Sequence, residues 1–346
     1  MAASGPGLVP EVLSEYGAIC RRAVQGYLSV RGDRGAEYLA DALRDYPARG
    51  GRSLRSSLCI AVARAFGASL DEALDSAVAL EMLHNSFLIH DDVEDDSEER
   101  RGGPALHVLH GVPIAVNVGD ALCVLSLRPL LRNQKTLGHR LSLRILEETE
   151  RMVCETVEGQ AIELGWRRAN TIDIGDEDYL RMVLKKTCWY TTIFPARAGA
   201  LIGSRDGVDL EPFLRFGFFL GAAFQIQDDI LNLIGDPAQY GKEIGGDLWE
   251  GKRTLMIIHL LNNADDGEVS RLATFLGTPR GQKSSREARW VADLMSFYGS
   301  IDHCRRVAHG LAGAALREFE QGFSGLRETR DLAFVRELPT WVLSRA

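Results

Sequence analysis

Two acid-rich segments carry the side chains of this chain that are best suited to chemistry. Residues 91–95 read Asp-Asp-Val-Glu-Asp, and residues 228–232 read Asp-Asp-Ile-Leu-Asn. Both segments place oxygen ligands at i and i+4, one turn apart on the same helical face, after an apolar run. Carboxylates that point into a core are costly unless cations meet them. The spacing therefore indicates a cavity in which facing helices share Mg²⁺ ions bridged by a polyanionic ligand. The candidate metal ligands are Asp91, Asp92, Asp95, Asp228, Asp229 and Asn232.

Four basic elements accompany these acids. Arg100 and Arg101 follow the first acidic segment directly, and because adjacent guanidiniums diverge, each can serve a different phosphate group. Paired glycines at 50–51 precede Arg52 and Arg55, an arrangement typical of an anion site at a helix start, although an ordinary loop is the alternative. The remaining basic elements are Lys185-Lys186, and Gly241-Lys242 with Lys252 downstream. Together they suggest one diphosphate held through metal and another held directly by cations.

The surrounding pattern is helical. From Leu80 the apolar positions follow the i, i+3, i+4 rhythm, and the same stripe continues onto Asp91 and Asp95, which we therefore expect to face inward. Over 213–234, Gly217 and Gly221 lie four residues apart and would allow a neighbouring helix to approach closely. No alternating strand pattern of any length competes. The predicted helical stretches are 10–30, 34–46, 55–80, 115–132, 138–165, 176–202, 247–263 and 286–346, the last holding at least two helices.

Composition limits the class of protein. With 346 residues, 45% hydrophobic content and 25% charge, the chain can bury a large core, and we expect one large all-α domain over 10–346 after a flexible leader at 1–9. A net charge of −8 leaves no basic surface for nucleic acid. Six scattered cysteines without a C-x-x-C pairing favour a reducing cytoplasm, and no apolar stretch suggests stable membrane insertion.

The order of these motifs resembles the trans-isoprenyl diphosphate synthases. The block 83–107, which contains the first acidic segment and Arg100-Arg101-Gly102-Gly103-Pro104, resembles the first aspartate-rich region of the family. Residues 224–242, with Phe-Gln-Ile-Gln-Asp-Asp at their start, resemble the second region. Between them Gly159-Gln160 and Lys186-Thr187 resemble the middle motifs.

This resemblance implies a bundle of about ten core helices around a deep cavity, usually in a homodimer. It implies an allylic and an isopentenyl diphosphate as substrates, and about three Mg²⁺ ions per active site. The allylic diphosphate would lie on Arg100, Lys186 and Lys242, with Lys252 nearby. Isopentenyl diphosphate would lie on Arg52, Arg55, His84 and Arg101, with Phe224 against its hydrocarbon part. Thr187, Gln225 and the Lys186 backbone would face the developing allylic cation.

Several positions depart from the pattern of the family. Arg52 stands where Lys is usual, Ser53 replaces a frequent Arg, and Asn232 replaces the third aspartate of the second motif. Cys188 and Trp189 replace smaller residues, so we expect them to narrow the cavity. Phe87, one turn before Asp91, is the predicted floor of the product tunnel, beside Ser86 on an open wall. One such aromatic suggests a short product, with geranylgeranyl diphosphate favoured, although ordinary core packing of Phe87 is the alternative.

Two other functions remain open. A class I terpene cyclase shares the fold and metal chemistry, and Asp228, Asn232 and Asp236 faintly match its metal triad; the second set of cations would then be unexplained. A non-catalytic subunit that regulates another synthase is the third possibility. Such a subunit should have lost metal ligands, whereas both acidic segments retain theirs.

Overall fold

A computed structural model describes residues 7–30, 34, 36–235 and 243–345, and within these ranges the chain is almost wholly helical. One pair of two-residue antiparallel strands, β1 (Glu99–Arg100) and β2 (Gly103–Pro104), interrupts the helices. The all-α prediction is confirmed. The α-helices of the first half are α1 (Leu8–Tyr27), α2 (Glu37–Ala48), α3 (Leu54–Ala65), α4 (Leu70–Asp95), α5 (Leu106–His110), α6 (Val112–Leu125), α7 (Leu127–Leu137) and α8 (His139–Ala169). Then come α9 (Asp176–Val183), a π-helix (Leu184–Ile193), α10 (Phe194–Ser204), α11 (Glu211–Ile234), α12 (Gly246–Glu250), α13 (Leu255–Asn263), α14 (Asp266–Gly277), a 3₁₀ turn (Arg280–Gln282), α15 (Ser285–Phe297), α16 (Ser300–Gly322) and α17 (Arg330–Leu343).

The helices that carry the motifs surround a central cavity. Helix α4 brings the first acidic segment, α11 the second, and the π-helix packs against both α8 and α11. Outside this ring, α3 and α10 pack together, and α11 packs along α16. Apolar residues of these elements form one large core, and a smaller one joins α2, α4 and α6.

Helix boundaries differ from the sequence prediction at several places, including the stretches 176–202 and 247–263, which are both divided. The stretch 55–80 divides at Gly67, and a capping box in which Ser69 and Glu72 exchange hydrogen bonds starts α4. The stretch 115–132 divides at Ser126 into α6 and α7. The first helix already begins at Leu8, inside the span predicted as leader.

The segment Val112–Leu137 is the part of the described chain that by length and hydropathy could cross a membrane. Its 18-residue window has a mean hydropathy of 1.5, and 44% of that window is buried in the protein. The break at Ser126 and the packing of α6 and α7 on α4 mark this segment as two helices of the bundle.

The π-helix Leu184–Ile193 lies unusually close to its neighbours. A Cβ atom at Gly159 would lie 2.1 Å from the Lys186 nitrogen, and one at Gly217 would lie 2.6 Å from the Ile193 Cα. A Cβ atom at Gly221 would lie 2.5 Å from the Thr192 hydroxyl. Helices can approach this closely only where side chains are absent. The predicted role of Gly217 and Gly221 is therefore confirmed, and the neighbour they admit is the π-helix.

Candidate active site

One cavity of about 610 Å³ receives side chains from both acidic segments and from all four basic elements. The two segments thus share a single cavity rather than pointing separately into solvent. Predicted site residues that line it are Arg52, Arg55, His84, Ser86, Phe87, Asp91, Arg100, Arg101, Lys186, Thr187, Phe224, Gln225, Asp228, Asp229 and Lys252. Asp92, Asp95 and Asn232 lie behind the cavity wall, and Lys242 is outside the described residues.

Adjacent acids of the first segment have different surroundings. Asp91 lies on the cavity wall, 3.2 Å from the Lys186 ammonium and 3.3 Å from the Arg100 guanidinium. Asp92 is fully buried and accepts hydrogen bonds from Arg100 Nε (2.7 Å) and the Tyr46 hydroxyl. Successive helix residues point about 100° apart, and of this pair Asp91 is the one that lines the cavity. Asp92, predicted as a metal ligand, therefore holds the Arg100 guanidinium in place instead.

Asp95 is buried one turn further along α4. Its carboxylate pairs with Arg167 and with the Lys252 ammonium, 2.6 Å away. Burial raises the pKa of Asp95 to about 6, although Lys252 opposes this shift. Lys252 itself lines the cavity, so Asp95 acts on the cavity through that lysine.

In the second acidic segment, Asp228 and Asp229 both line the cavity but have different partners. Asp228 lines the cavity and pairs with Arg345 at 2.9 Å. Asp229 accepts hydrogen bonds from the Tyr179 hydroxyl (2.8 Å) and Gln225 Nε2 (2.7 Å). Burial, with Asp247 and Asp228 nearby, raises the pKa of Asp229 well above its ordinary value. Asn232 accepts a hydrogen bond from the Asp247 backbone N–H at 3.1 Å and so holds the first turn of α12.

The carboxylates of this cavity suit Mg²⁺ ions that take part of their ligands from a bound polyphosphate. Among the described residues no three His, Cys, Asp or Glu side chains converge into a complete metal cage. Instead, each acidic segment offers a cavity-facing carboxylate beside a cation, Asp91 beside Lys186 and Asp228 beside Arg345. Glu94, Asp229 and Asp247 also line the cavity. Mg²⁺ is usually bound by one or two carboxylates, with waters and substrate phosphates as its other ligands. The donor set therefore fits an ion that arrives with a polyphosphate.

Arg55 and Arg101 form a second group of cations on the cavity wall, apart from the cations that pair with the two acidic segments. Arg101 donates to the Tyr46 carbonyl (2.9 Å) and to the Asn85 amide oxygen (3.0 Å), both neutral acceptors. Burial lowers the pKa of Arg101 to about 10, and Arg100 and Arg55 add to this effect. The Arg55 guanidinium lies over the Tyr190 ring at 4.3 Å. A buried concentration of positive charge of this kind favours an anionic ligand.

The turn between β1 and β2 separates the two adjacent arginines. Arg101 and Gly102 both have positive φ angles, of 53° and 73°, in this turn. Arg100 consequently points back to Asp92, whereas Arg101 points to Gly51, where a Cβ atom would lie 3.1 Å from its Nη2. The prediction that the two guanidiniums diverge is confirmed.

The apolar end of the cavity begins at Phe87. The Phe87 ring meets the Tyr190 ring edge-on with centroids 5.7 Å apart, and the Ser86 hydroxyl donates to the Gly119 carbonyl at 2.8 Å. Cys188 and Trp189 do not line the cavity, contrary to expectation. The π-helix turns them into the core, and Tyr190 faces the cavity instead.

Sequence reasoning missed several residues of this site, among them Tyr190, Asp247 and Arg345. Tyr190 lies four positions after Lys186, and this spacing could have revealed it as a neighbour on the same face. Asp247 lines the cavity beside Lys252, and its place after Gly246 gave no sign of this. Arg345 comes from the segment that follows α17, and no local pattern connects it with Asp228.

Comparison with known proteins agrees with this geometry. The sequence profile described as polyprenyl synthetase matches residues 36–295. The chain belongs to the polyprenyl synthetase family. It is 32% identical to a short chain isoprenyl diphosphate synthase of Methanothermobacter thermautotrophicus over 87% of this chain and 88% of that protein. It is also 32% identical to a geranylgeranyl diphosphate synthase of Sulfolobus acidocaldarius, over 75% of this chain and 77% of that one.

Solved polyprenyl synthetases share the fold along nearly the whole chain. A polyprenyl synthase from Caulobacter crescentus, solved with calcium and isoprenyl diphosphate, superposes with a TM-score of 0.84 at 26% identity. That alignment includes 99% of this chain and 99% of that chain. This polyprenyl synthetase is therefore a prenyl-transferring enzyme, and the predictions of its family, fold and enzyme class are confirmed.

Proposed function

We propose that this enzyme condenses an allylic diphosphate with isopentenyl diphosphate and releases geranylgeranyl diphosphate as its main product. The observation that carries the proposal is the pair of separate anion sites in one cavity. One combines Asp91 and Asp228 with Lys186, and the other is the wall of Arg55 and Arg101. The names of relatives, including the geranylgeranyl diphosphate synthase of Sulfolobus acidocaldarius, support the choice of product.

Ionisation of the allylic diphosphate requires positive charge on its oxygens. When bound by Asp91 and Asp228, Mg²⁺ would supply Lewis acidity to the departing diphosphate. Asp95, predicted as a further ligand, would contribute through Lys252 instead. The chain adds Lys186, Arg100 and Lys252 to this charge. Although burial lowers the pKa of Lys186, Asp91 and Glu163 raise it above its ordinary value overall, so this ammonium stays charged. The number of ions, three by resemblance, stays a prediction.

The allylic cation then needs a dry wall with a few oriented dipoles. Thr187 donates to the Gln225 amide oxygen at 3.0 Å, which fixes both side chains at the cavity surface. The Thr187 oxygen and the Gln225 carbonyl are placed to stabilise the cation. The double bond of isopentenyl diphosphate attacks C1 of the cation, and the resulting cation loses a proton to the released diphosphate. No nucleophilic side chain of the protein takes part.

Product release measured with and without the second substrate tests this function. We expect the purified protein with Mg²⁺ and farnesyl diphosphate to form geranylgeranyl diphosphate only when isopentenyl diphosphate is added. Release of a hydrocarbon or terpene alcohol from farnesyl diphosphate alone would instead establish a terpene cyclase. Absence of turnover until another synthase is added would establish a regulatory subunit.

Substituting Gly51 should weaken isopentenyl diphosphate binding selectively. In Gly51→Ala the new methyl group would meet Arg101 Nη2 at 3.1 Å and displace the guanidinium. We expect the KM for isopentenyl diphosphate to rise about tenfold, the loss of one hydrogen bond to a charged group, with the KM for the allylic substrate unchanged. Gly26→Ala is the control, because a Cβ there meets no atom within 4 Å. Equal changes in both KM values would contradict this role of Arg101.

Truncating Phe87 should lengthen the product. Phe87→Ala removes the ring that meets Tyr190 at the apolar end of the cavity. We expect products beyond geranylgeranyl diphosphate in a chromatographic analysis of chain length. The exposed Phe297 provides the control substitution Phe297→Ala, which should leave the distribution as in the wild type. An unchanged distribution in Phe87→Ala would remove Phe87 from the tunnel floor.

A homodimer is the proposed assembly. Exposed apolar side chains follow one another along α5 to α8, and exposed patches of this kind mark protein contacts. Val124 is 65% and Leu131 63% exposed in the isolated chain. Sedimentation equilibrium tests this assembly, and a monomer at micromolar concentration would contradict it. Cytoplasmic localisation stays a prediction from the cysteine pattern.

A further inference from the structure

Arg345, in the segment after α17, lies directly behind the cavity wall, where it contacts the lining residues Asp228 and Phe224. Its side chain is only 5% exposed, and its Nη2 lies 2.9 Å from the Asp228 carboxylate. The guanidinium carbon lies 4.2 Å from the centroid of the Phe224 ring, and the Arg345 carbonyl accepts a hydrogen bond from Gln227 Nε2 at 3.2 Å. Backbone and side chain together hold this cation against the leading acid of the second motif.

The same guanidinium has donors that are not used. Its Nε and Nη1 atoms are buried and have no hydrogen-bond partner in the part of the chain that the structure describes. A guanidinium can only donate, so the missing partners must be acceptors. Leaving buried charged donors unsatisfied is costly, and a fork of N–H groups fits phosphate oxygens. The unused donors therefore point to an anionic ligand beside Phe224 and Asp228.

We propose that Arg345 alternates between two partners, Asp228 in the ligand-free enzyme and a substrate diphosphate in the working enzyme. This inference rests on the proposed function. Without ligand, Arg345 neutralises Asp228 inside the protein. Because a divalent cation bound at Asp228 repels the guanidinium, Arg345 then transfers to the diphosphate. Arg345 is in this way both a competitor of the metal and a binding residue for the substrate.

This dual role predicts opposite effects of one substitution. Arg345→Gln in the full chain removes the competitor, so we expect Mn²⁺, measured by electron paramagnetic resonance without diphosphate, to bind more tightly. The same variant should bind a diphosphate less tightly, by about tenfold for each lost charged hydrogen bond. Calorimetry with pyrophosphate plus Mg²⁺, and separately with isopentenyl diphosphate without metal, determines which diphosphate Arg345 holds.

Two further variants keep the test decisive. Arg336→Gln is the matched control, because Arg336 lies on α17 and pairs with the exposed Glu328. It should leave both affinities unchanged. Arg345→Lys keeps the charge without the fork and should recover part of the diphosphate affinity. Unchanged or jointly weakened binding of Mn²⁺ and diphosphate in Arg345→Gln would overturn the proposal. If the wild type transferred no prenyl group, the proposed function would fail instead.

Discussion

Replacing Asp91 with asparagine is expected to lower kcat by about 10²–10³-fold, the usual cost of removing one preorganised electrostatic group. Asp91 is the leading acid of the first motif; it lines the cavity and lies within 3.3 Å of both Lys186 and Arg100. The amide has nearly the same shape but no charge, so it cannot neutralise these cations or hold a divalent ion equally well. Steady-state kinetics with saturating substrates and a Mg²⁺ titration measure the effect.

Asp96 provides the matched control for this experiment. It belongs to the same acidic run, but its side chain is 83% exposed and its φ angle of 54° is one that asparagine tolerates. We expect Asp96→Asn to retain wild-type kcat and Mg²⁺ dependence. A similar loss in both variants would indicate that net negative charge, rather than the position of Asp91, supports the reaction.

Replacing Glu148 with alanine is expected to reduce the free energy of unfolding by about 3–5 kcal/mol, the cost of breaking a buried ion pair. Glu148 on α8 accepts two hydrogen bonds from Arg197 on α10, at 2.7 and 2.8 Å, and both side chains are at most 7% exposed. The variant leaves the Arg197 charge inside the core without its carboxylate. Urea unfolding followed by circular dichroism measures the difference.

The neighbouring residue separates this effect from a general one. Glu147 pairs with Arg144 at 3.2 Å but is 56% exposed, and such surface pairs contribute about 0–1 kcal/mol. Glu147→Ala should therefore unfold close to the wild type. The double variant Glu148→Leu with Arg197→Met should recover much of the lost stability, because no uncompensated charge remains. If it were no more stable than Glu148→Ala, the buried charge would not be the cause.

The positions of the cavity-facing acids could be predicted because apolar periodicity extends along a helix. The stripe through Leu80 and Leu83 fixes the face of α4 on which Asp91 lies, and that face is the one that meets the cavity. Gly217 and Gly221 likewise identified a close helix contact before its partner was known.

Other features could not be read from local pattern. The π-helix adds residues to each turn and turns Cys188 and Trp189 into the core, which their size relative to the family's usual residues could not show. Asp92 resembles its neighbours in sequence, but in the fold it is buried against Tyr46 of α2 and holds Arg100 in place. Arg345 meets Asp228 across more than a hundred residues, and only the assembled fold brings them together.

A crystal structure with Mn²⁺ and the unreactive thio analogue of farnesyl diphosphate tests the central claim most directly, because anomalous scattering locates the metal. We expect Mn²⁺ ions bound to Asp91 and to Asp228, and a diphosphate that bridges these ions between the two walls. Arg345 should then be released from Asp228. Mn²⁺ bound outside the cavity, or a diphosphate that contacts neither acidic segment through metal, would contradict the account.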